Sequence, residues 1–390
     1  MAKARHSTAV LPDRAYLVSL DLHRNLQSNA TESLRELREL ARTAGATVVG
    51  STTQRRARPV SSTYIGSGKV REVAEECRRL NANTVLVDGD LTPSQQRNLE
   101  DSLGLKVIDR TALIIDIFAM GARSREGRLQ VELAQMEYLL PRLAGQWNHL
   151  ERLEGAIGTR GPGETQLETD RRLARRRITK ITKDLKAVRK QRALYRRRRR
   201  RSGIPTVALV GYTNAGKSTL MQSLSGSEIY AGDKLFATLD PLTRRVRLTE
   251  DRTILLNDTV GFIQKLPTQL VVSFRATLEE LEEASLLIHV VDISHPQASE
   301  QEEVVDATLR DLGLENRLRI TALNKIDLLT NRDGRVVNNE ELAHEVLAYA
   351  GQAPSNICAI SAENGWGIEK LRDLVVSSLD SEKQDDIHYS

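Results

Sequence analysis

Cysteine is almost missing from this chain: Cys77 and Cys358 are the two in 390 residues. Far apart in sequence, they suggest neither a disulfide framework nor a cysteine metal centre. Long apolar runs are missing too. The longest, around Leu286 to Val291, is far short of the roughly 20 residues that a membrane helix needs, and Met-Ala-Lys-Ala-Arg-His at the start lacks a signal-peptide core. The cytoplasm is the expected compartment, and a monomer the expected state. A third shortage is local. Residues 171 to 201 hold 17 basic side chains and one acid, Asp184, too lopsided to be balanced by pairing along a helix.

That shortage is part of a wider asymmetry under a net charge of +5. Residues 1 to 203 carry 40 Lys+Arg against 23 Asp+Glu, a balance of +17, and the remaining 17 and 29 leave residues 204 to 390 at −12. The first half therefore suits a polyanion, and RNA is the partner expected for the run ending in Arg196, Arg197, Arg198, Arg199, Arg200 and Arg201. Hydrophobic content of 40% with 28% charged residues fits a folded chain with room for two or three domains.

The richest chemistry lies between a strand-like run, Thr206 to Val210, and a helix-like run from Lys217. Gly211, Tyr212, Thr213, Asn214, Ala215, Gly216, Lys217, Ser218 and Thr219 spell a complete phosphate-binding loop. Its glycines allow the tight turn that aims backbone N–H groups at phosphate, Lys217 reaches the β- and γ-phosphates, and the Ser218 hydroxyl ligates Mg²⁺. Such a loop does not choose its base. Asn324-Lys325-Ile326-Asp327 does, because a carboxylate accepts hydrogen bonds from guanine N1–H and its 2-amine, and adenine offers neither. Together the two predict GTP binding and hydrolysis, with Lys217, Thr238 and Gly261 in the catalytic roles.

Three shorter segments complete the predicted site. In Asp258-Thr259-Val260-Gly261, Asp258 holds Mg²⁺ through water and the Gly261 amide meets the γ-phosphate. Phe236, Ala237, Thr238, Leu239 and Asp240 form a switch segment in which Thr238 is the second hydroxyl on Mg²⁺. Ser361, Ala362 and Glu363 offer a backbone amide to the guanine O6. Phe262 stands where Ras-like proteins carry a water-orienting glutamine, so intrinsic hydrolysis is expected to be slow. Asn214 sits where potassium-activated GTPases carry a K⁺-ligating asparagine; the plainer reading is a turn residue.

Upstream, strand-like and helix-like stretches alternate through about residue 120, predicting a small α/β domain with a parallel sheet. Its Gly66-Ser67-Gly68-Lys69 reads as a turn opening a helix, with a second nucleotide site as the alternative. Between 121 and 203, Leu129, Leu133, Met136, Leu140 and Leu143, then Ala174, Ile178, Ile181, Leu185, Val188, Arg192 and Tyr195, step by four and three. They predict an antiparallel helical hairpin whose second helix runs from about Thr165 to Arg200. Its tip carries Trp147, Asn148 and the glycine-rich stretch with Arg160, Gly161, Pro162 and Gly163, a loop expected to order on RNA. Residues 204–380 are the predicted GTPase domain, doubly wound, and 381–390 a polar tail.

Asp109-Arg110-Thr111 with Asp116-Ile117-Phe118, Leu129 to Gln135, Tyr138 to Leu143, Arg160 to Arg172 and Leu235 to Pro241 make this chain resemble the HflX GTPases along nearly its whole length. The resemblance implies a factor that binds GTP and GDP, joins the large (50S) ribosomal subunit and its rRNA, extends the hairpin loop toward the peptidyl-transferase region, and splits stalled or stress-damaged ribosomes. Leu242 departs from the threonine often found there, and any C-terminal extension that some members carry is expected to be missing. A large-subunit assembly or RNA-remodelling GTPase, and a GTP-dependent protein scaffold, remain the alternatives.

Overall fold

The computed structural model describes residues 13–22, 28–143, 162–201, 203–226, 236, 242–265, 281–330, 336–337, 339–348 and 355–388. Two compact units are present: residues 1–120 with 134–179, and residues 121–133 with 180–390. The helical segment expected to stand between two domains is thus divided between them.

In the first unit, β1 (Arg14–Leu22), α1 (Ser28–Thr43), β2 (Thr47–Arg56), α2 (Ser67–Arg79), β3 (Thr84–Val87), α3 (Pro93–Leu103) and β4 (Lys106–Asp109) alternate as expected. All pairings are parallel, in the order β2-β1-β3-β4. Val18, Val85, Val87 and Val107 from the strands bury against Val70, Val73, Cys77 and Leu99 from the helices, each fully buried aliphatic chain contributing about 1.5–3 kcal/mol. Thr92 caps α3, its hydroxyl accepting from the Gln95 amide while the Gln95 side chain accepts from the Thr92 amide. Gly66 caps α2, and the Lys69 ammonium is held by Thr52 and Glu72; that arrangement supports the turn reading of Gly66-Ser67-Gly68-Lys69. An ionic cluster closes the C-terminal end of the sheet. Arg110, 1% exposed, pairs with Asp88 at 2.8 Å and with Glu36, and Asp88 also accepts from Ser19 and Ser33.

The next helices are α4 (Arg110–Gly121), α5 (Arg125–Leu139) and α6 (Pro162–Arg201). The α6 backbone is longer than expected: 40 residues, or about 60 Å at 1.5 Å each. Its stripe matches expectation through Arg192, with Ile181 and Leu185 buried and Ala174, Ile178, Val188 and Arg192 half-buried, while the Tyr195 side chain lies outside those described. The stripe on α5 is a correction. Of the expected positions Leu133 is buried, whereas Leu129, Met136, Leu140 and Leu143 are half-buried, and Gly127, Gln130, Val131, Ala134 and Tyr138 are buried instead. The inward face carries small and polar residues that a search for leucines overlooks, and Glu126 on it is buried with an ion pair from Arg192 at 2.8 Å. The connection through residues 144–161 lies outside the described residues, and with it Trp147, Asn148, Arg160 and Gly161.

The second unit contains β5 (Thr206–Gly211), α7 (Lys217–Ser225), β6 (Leu242–Arg247), β7 (Thr253–Asp258), β8 (Leu286–Asp292), α8 (Ala298–Asp311), β9 (Arg319–Asn324), α9 (Glu340–Ala348), β10 (Ile357–Ala359) and α10 (Ile368–His388). The strand order is β10-β9-β8-β5-β7-β6, parallel except for β6. Val207, Leu209, Leu256, Ile288 and Val290 bury one face against Leu220 and Met221 of α7 and Leu371 and Val375 of α10, while α8 packs on β8 and β5. Helices on both faces make the sheet doubly wound. Leu242 is the first residue of β6, opposite Asp258. The α10 backbone stays helical to His388, through most of the expected polar tail.

Candidate nucleotide site

β5 is the central strand, flanked by β8 and β7, and its C-terminal end turns directly into the phosphate loop. Gly216 caps α7 at φ +95°, where a Cβ would lie 2.2 Å from Asn324 Nδ2, so a side chain there is both strained and obstructed. α7 then begins at Lys217 with its N-terminal N–H groups facing the loop, the arrangement that attracts phosphate.

Lys217 is 7% exposed, and its ammonium donates to Tyr212 O at 2.7 Å and Gly211 O at 3.1 Å. Burial pulls it down to about 8; Asp258 works against that shift and Lys325 reinforces it. The Ser218 hydroxyl donates to Asp258 Oδ2 at 2.7 Å. A hydroxyl from the first turn of α7 and a carboxylate from the end of β7, both hard oxygen ligands, therefore meet at one point next to the lysine in sequence, a donor set that suits Mg²⁺.

Phe262 serves the site through its backbone. Its amide donates to Gly211 O at 3.1 Å and its carbonyl accepts from the Thr213 amide at 2.7 Å, while its ring is 3% exposed. The Tyr212 hydroxyl accepts from the Gln264 amide at 2.8 Å, extending the same seam. Thr259, expected at the nucleotide, donates its hydroxyl to Leu209 O at 2.6 Å and pins the segment to the sheet. Val260 is buried and Thr219 half-buried. Asn214 is exposed with φ +62°, a left-handed conformation that asparagine tolerates better than most residues; this accounts for the turn reading.

On the far side, Asn324 donates from Nδ2 to Ala215 O at 2.8 Å and accepts at Oδ1 from the Ala362 amide at 3.0 Å. The motif assigns Asn324 to the base; the structure uses its amide to brace the phosphate loop against the 361–363 loop. Lys325, at φ +65°, pairs with Asp292 at 2.7 Å. Asp327 lies half-buried in the short 3₁₀ turn Ile326–Leu328, with Ile326 buried below it. The Ser361 amide is committed to Trp366 O and the Ala362 amide to Asn324, whereas Glu363 is exposed. Phe236 is buried at φ +58°, and Ala237, Thr238, Leu239 and Asp240 lie outside the described residues. Sequence reasoning misses the Asn324 brace, the Tyr212 to Gln264 hydrogen bond and Asp292. The lone signal for Asp292 is its place at the end of a strand beside the one that carries Asn324.

A phosphate loop, a hydroxyl and carboxylate pair at its mouth and an Asn-Lys-Ile-Asp loop two strands away, all at the C-terminal edge of a doubly wound sheet, define a P-loop GTPase. Residues 206–325 match the family described as 50S ribosome-binding GTPase, 31–119 that described as GTP-binding GTPase N-terminal, and 121–199 its Middle Region. The chain is 53% identical to GTPase HflX of Caldanaerobacter subterraneus over 90% of its own length and 78% of the relative's. It is 44% identical to GTPase HflX of Escherichia coli over 91% and 81%. This chain belongs to the HflX GTPase family. A solved structure of SsGBP with GDP, 24% identical with a TM-score of 0.50, covers 94% of this chain and 99% of that one, a likeness of fold.

Proposed function

We propose that this protein hydrolyses GTP to GDP and phosphate, and uses the cycle to bind the large ribosomal subunit and split stalled or stress-damaged 70S ribosomes. The observation that carries the GTP reading is the convergence of buried Lys217 with the Ser218 to Asp258 hydrogen bond, which suits a triphosphate with Mg²⁺, at the same sheet edge as the Asn324 to Asp327 loop that selects guanine. Lys217 leaves its two loop carbonyls for the β- and γ-phosphates, Asp327 accepts from guanine, and the Gly261 amide donates to the γ-phosphate. Mg²⁺ on Ser218 and Thr238, with Asp258 reached through water, would neutralise charge on the phosphate oxygens. K⁺ at Asn214 would add to that neutralisation.

The buried ring of Phe262 offers no hydrogen bond to water, so intrinsic turnover is slow and the ribosome raises it. The 50S reading rests on the family matched by residues 206–325 and on α6, where Arg172, Arg175, Arg176, Arg177, Lys180 and Lys183 are exposed or half-buried away from the buried stripe. The tip, with Arg160, Gly161, Pro162 and Gly163, and the run Arg196 to Arg201 contact rRNA.

The test is sedimentation of purified 70S and 50S particles with the protein and GDP or a non-hydrolysable GTP analogue. Analogue-dependent binding to 50S, with 70S converted to subunits, is the expected outcome. Binding without conversion, and only to precursor particles, would favour the assembly reading instead.

A further inference from the structure

The Thr213 hydroxyl is the unexplained polar group of the phosphate loop. Thr213 is 6% exposed, and its Oγ1 has no hydrogen-bond partner among the described residues. A buried hydroxyl left unmet costs about 1–3 kcal/mol, which valine would avoid in the same space. Asn257 Oδ1 and His289 Nδ1 are also unmet, but they belong to strands, opposite Ala208 and Val210, and not to the loop itself.

Thr213 is differently placed. Its amide is fixed by Phe262 O at 2.7 Å. A Cβ built on Gly261 would lie 2.9 Å from Thr213 Cα, 2.9 Å from Thr213 Cγ2 and 2.9 Å from Lys217 Nζ. Thr213, Lys217 and Gly261 therefore crowd one spot, to which Thr213 turns its methyl, so that a rotation about χ1 exchanges methyl for hydroxyl there; the other two are the groups assigned above to the terminal phosphate.

We infer that Thr213 Oγ1 donates a hydrogen bond to a γ-phosphate oxygen of bound GTP and so distinguishes triphosphate from diphosphate. The inference rests on the reading of this cradle as a GTP site. A hydroxyl facing an anionic oxygen makes a charge-assisted bond, among the stronger hydrogen bonds available to a protein. Its value rises during hydrolysis, when charge shifts on the transferring group and the ring of Phe262 contributes no donor.

The test compares Thr213→Val and Thr213→Ser in the full chain with Mg²⁺, measuring affinity for GDP and for a non-hydrolysable GTP analogue, and single-turnover GTP hydrolysis. Thr213→Val should lose about tenfold or more in analogue affinity relative to GDP, and slow the single turnover, whereas Thr213→Ser keeps both. A wild-type urea midpoint in the valine variant shows that the domain is folded, so that the analogue-to-GDP affinity ratio reads the lost contact. A valine variant matching a nucleotide-binding wild type, or a serine variant that falls as far as valine, overturns the inference. Wild type that binds neither nucleotide overturns the GTP reading itself, and the inference with it.

Discussion

Replacing Asn324 by alanine separates a brace from a base contact. Asn324 is 2% exposed, and its amide spans 2.8 Å to Ala215 O and 3.0 Å to Ala362 N. The substitution leaves that carbonyl and that amide without their partner, at about 1–3 kcal/mol each. Partial relaxation brings the expected loss to about 3 kcal/mol, or a shift of about 1 to 2 M in the urea midpoint of the GTPase domain. The loss appears without any nucleotide. Because the brace holds the loop's own carbonyl, affinity for tripolyphosphate, which has no base, falls along with affinity for GDP. Asp327→Ala is the contrast: it should weaken GDP and leave tripolyphosphate and the urea midpoint alone. An Asn324→Ala protein with wild-type unfolding and tripolyphosphate binding, but weakened GDP binding, would refute the brace.

Other consequences follow from charge and burial. Lys217 is held down to about 8 in the ligand-free protein, and phosphate charge raises it on binding. Below that pH it is protonated in both states; above it, binding takes up a proton, so tripolyphosphate affinity should fall by up to about tenfold per pH unit from pH about 8 upward. Calorimetry in buffers of different ionisation heat measures the uptake, and an affinity constant to about pH 9.5 would sink the assignment. His289, 1% exposed, is pushed down to about 4, chiefly by burial and then by Arg319. Between its unfolded value of about 6.5 and that folded value the unfolded chain binds the extra proton. Stability should then fall by up to about 3 kcal/mol as pH drops through the window. Denaturation curves at several pH values check this, and His289→Gln should flatten the slope. Neutralising Arg196 to Arg201 should lower the salt dependence of 50S binding by about 0.7 to 0.9 in log–log slope for each phosphate that is no longer neutralised; an unchanged slope would remove that run from the interface.

Much of this is legible because local chemistry and fold agree. Gly211 to Thr219 can hardly be anything but a loop between strand and helix, and the alternation of strands and helices expected through about residue 120 is the order observed. What stays hidden depends on partners distant in sequence. Asn324 meets Ala215 across 109 positions, and no spacing rule reaches that far. The α5 stripe misleads for a related reason: Gly127, Gln130 and Ala134 are buried although none is a large apolar residue, and Glu126 is buried with its charge answered by Arg192, 66 positions away. Strand β6 is silent in the sequence because an antiparallel edge strand with Arg244 and Arg245 exposed has no apolar run to announce it.

Phe262 shows where the two kinds of information meet. The sequence says what it is not, a glutamine that positions water. The structure adds what it is: a backbone rung between Gly211 and Thr213, anchored by a buried ring. Those two roles compete. A residue buried to hold the segment beside the phosphate loop cannot also extend a polar group toward the γ-phosphate. The chain therefore keeps the segment from Val260 to Gln264 in register and leaves water activation to groups outside that position. Exchanging Phe262 for glutamine tests the trade. If anchoring is its work, Phe262→Gln loses the buried ring, destabilises the domain by about 3 kcal/mol and gains no turnover. A variant that is stable and turns over GTP faster on its own would show instead that the wild-type residue serves only to restrain the reaction.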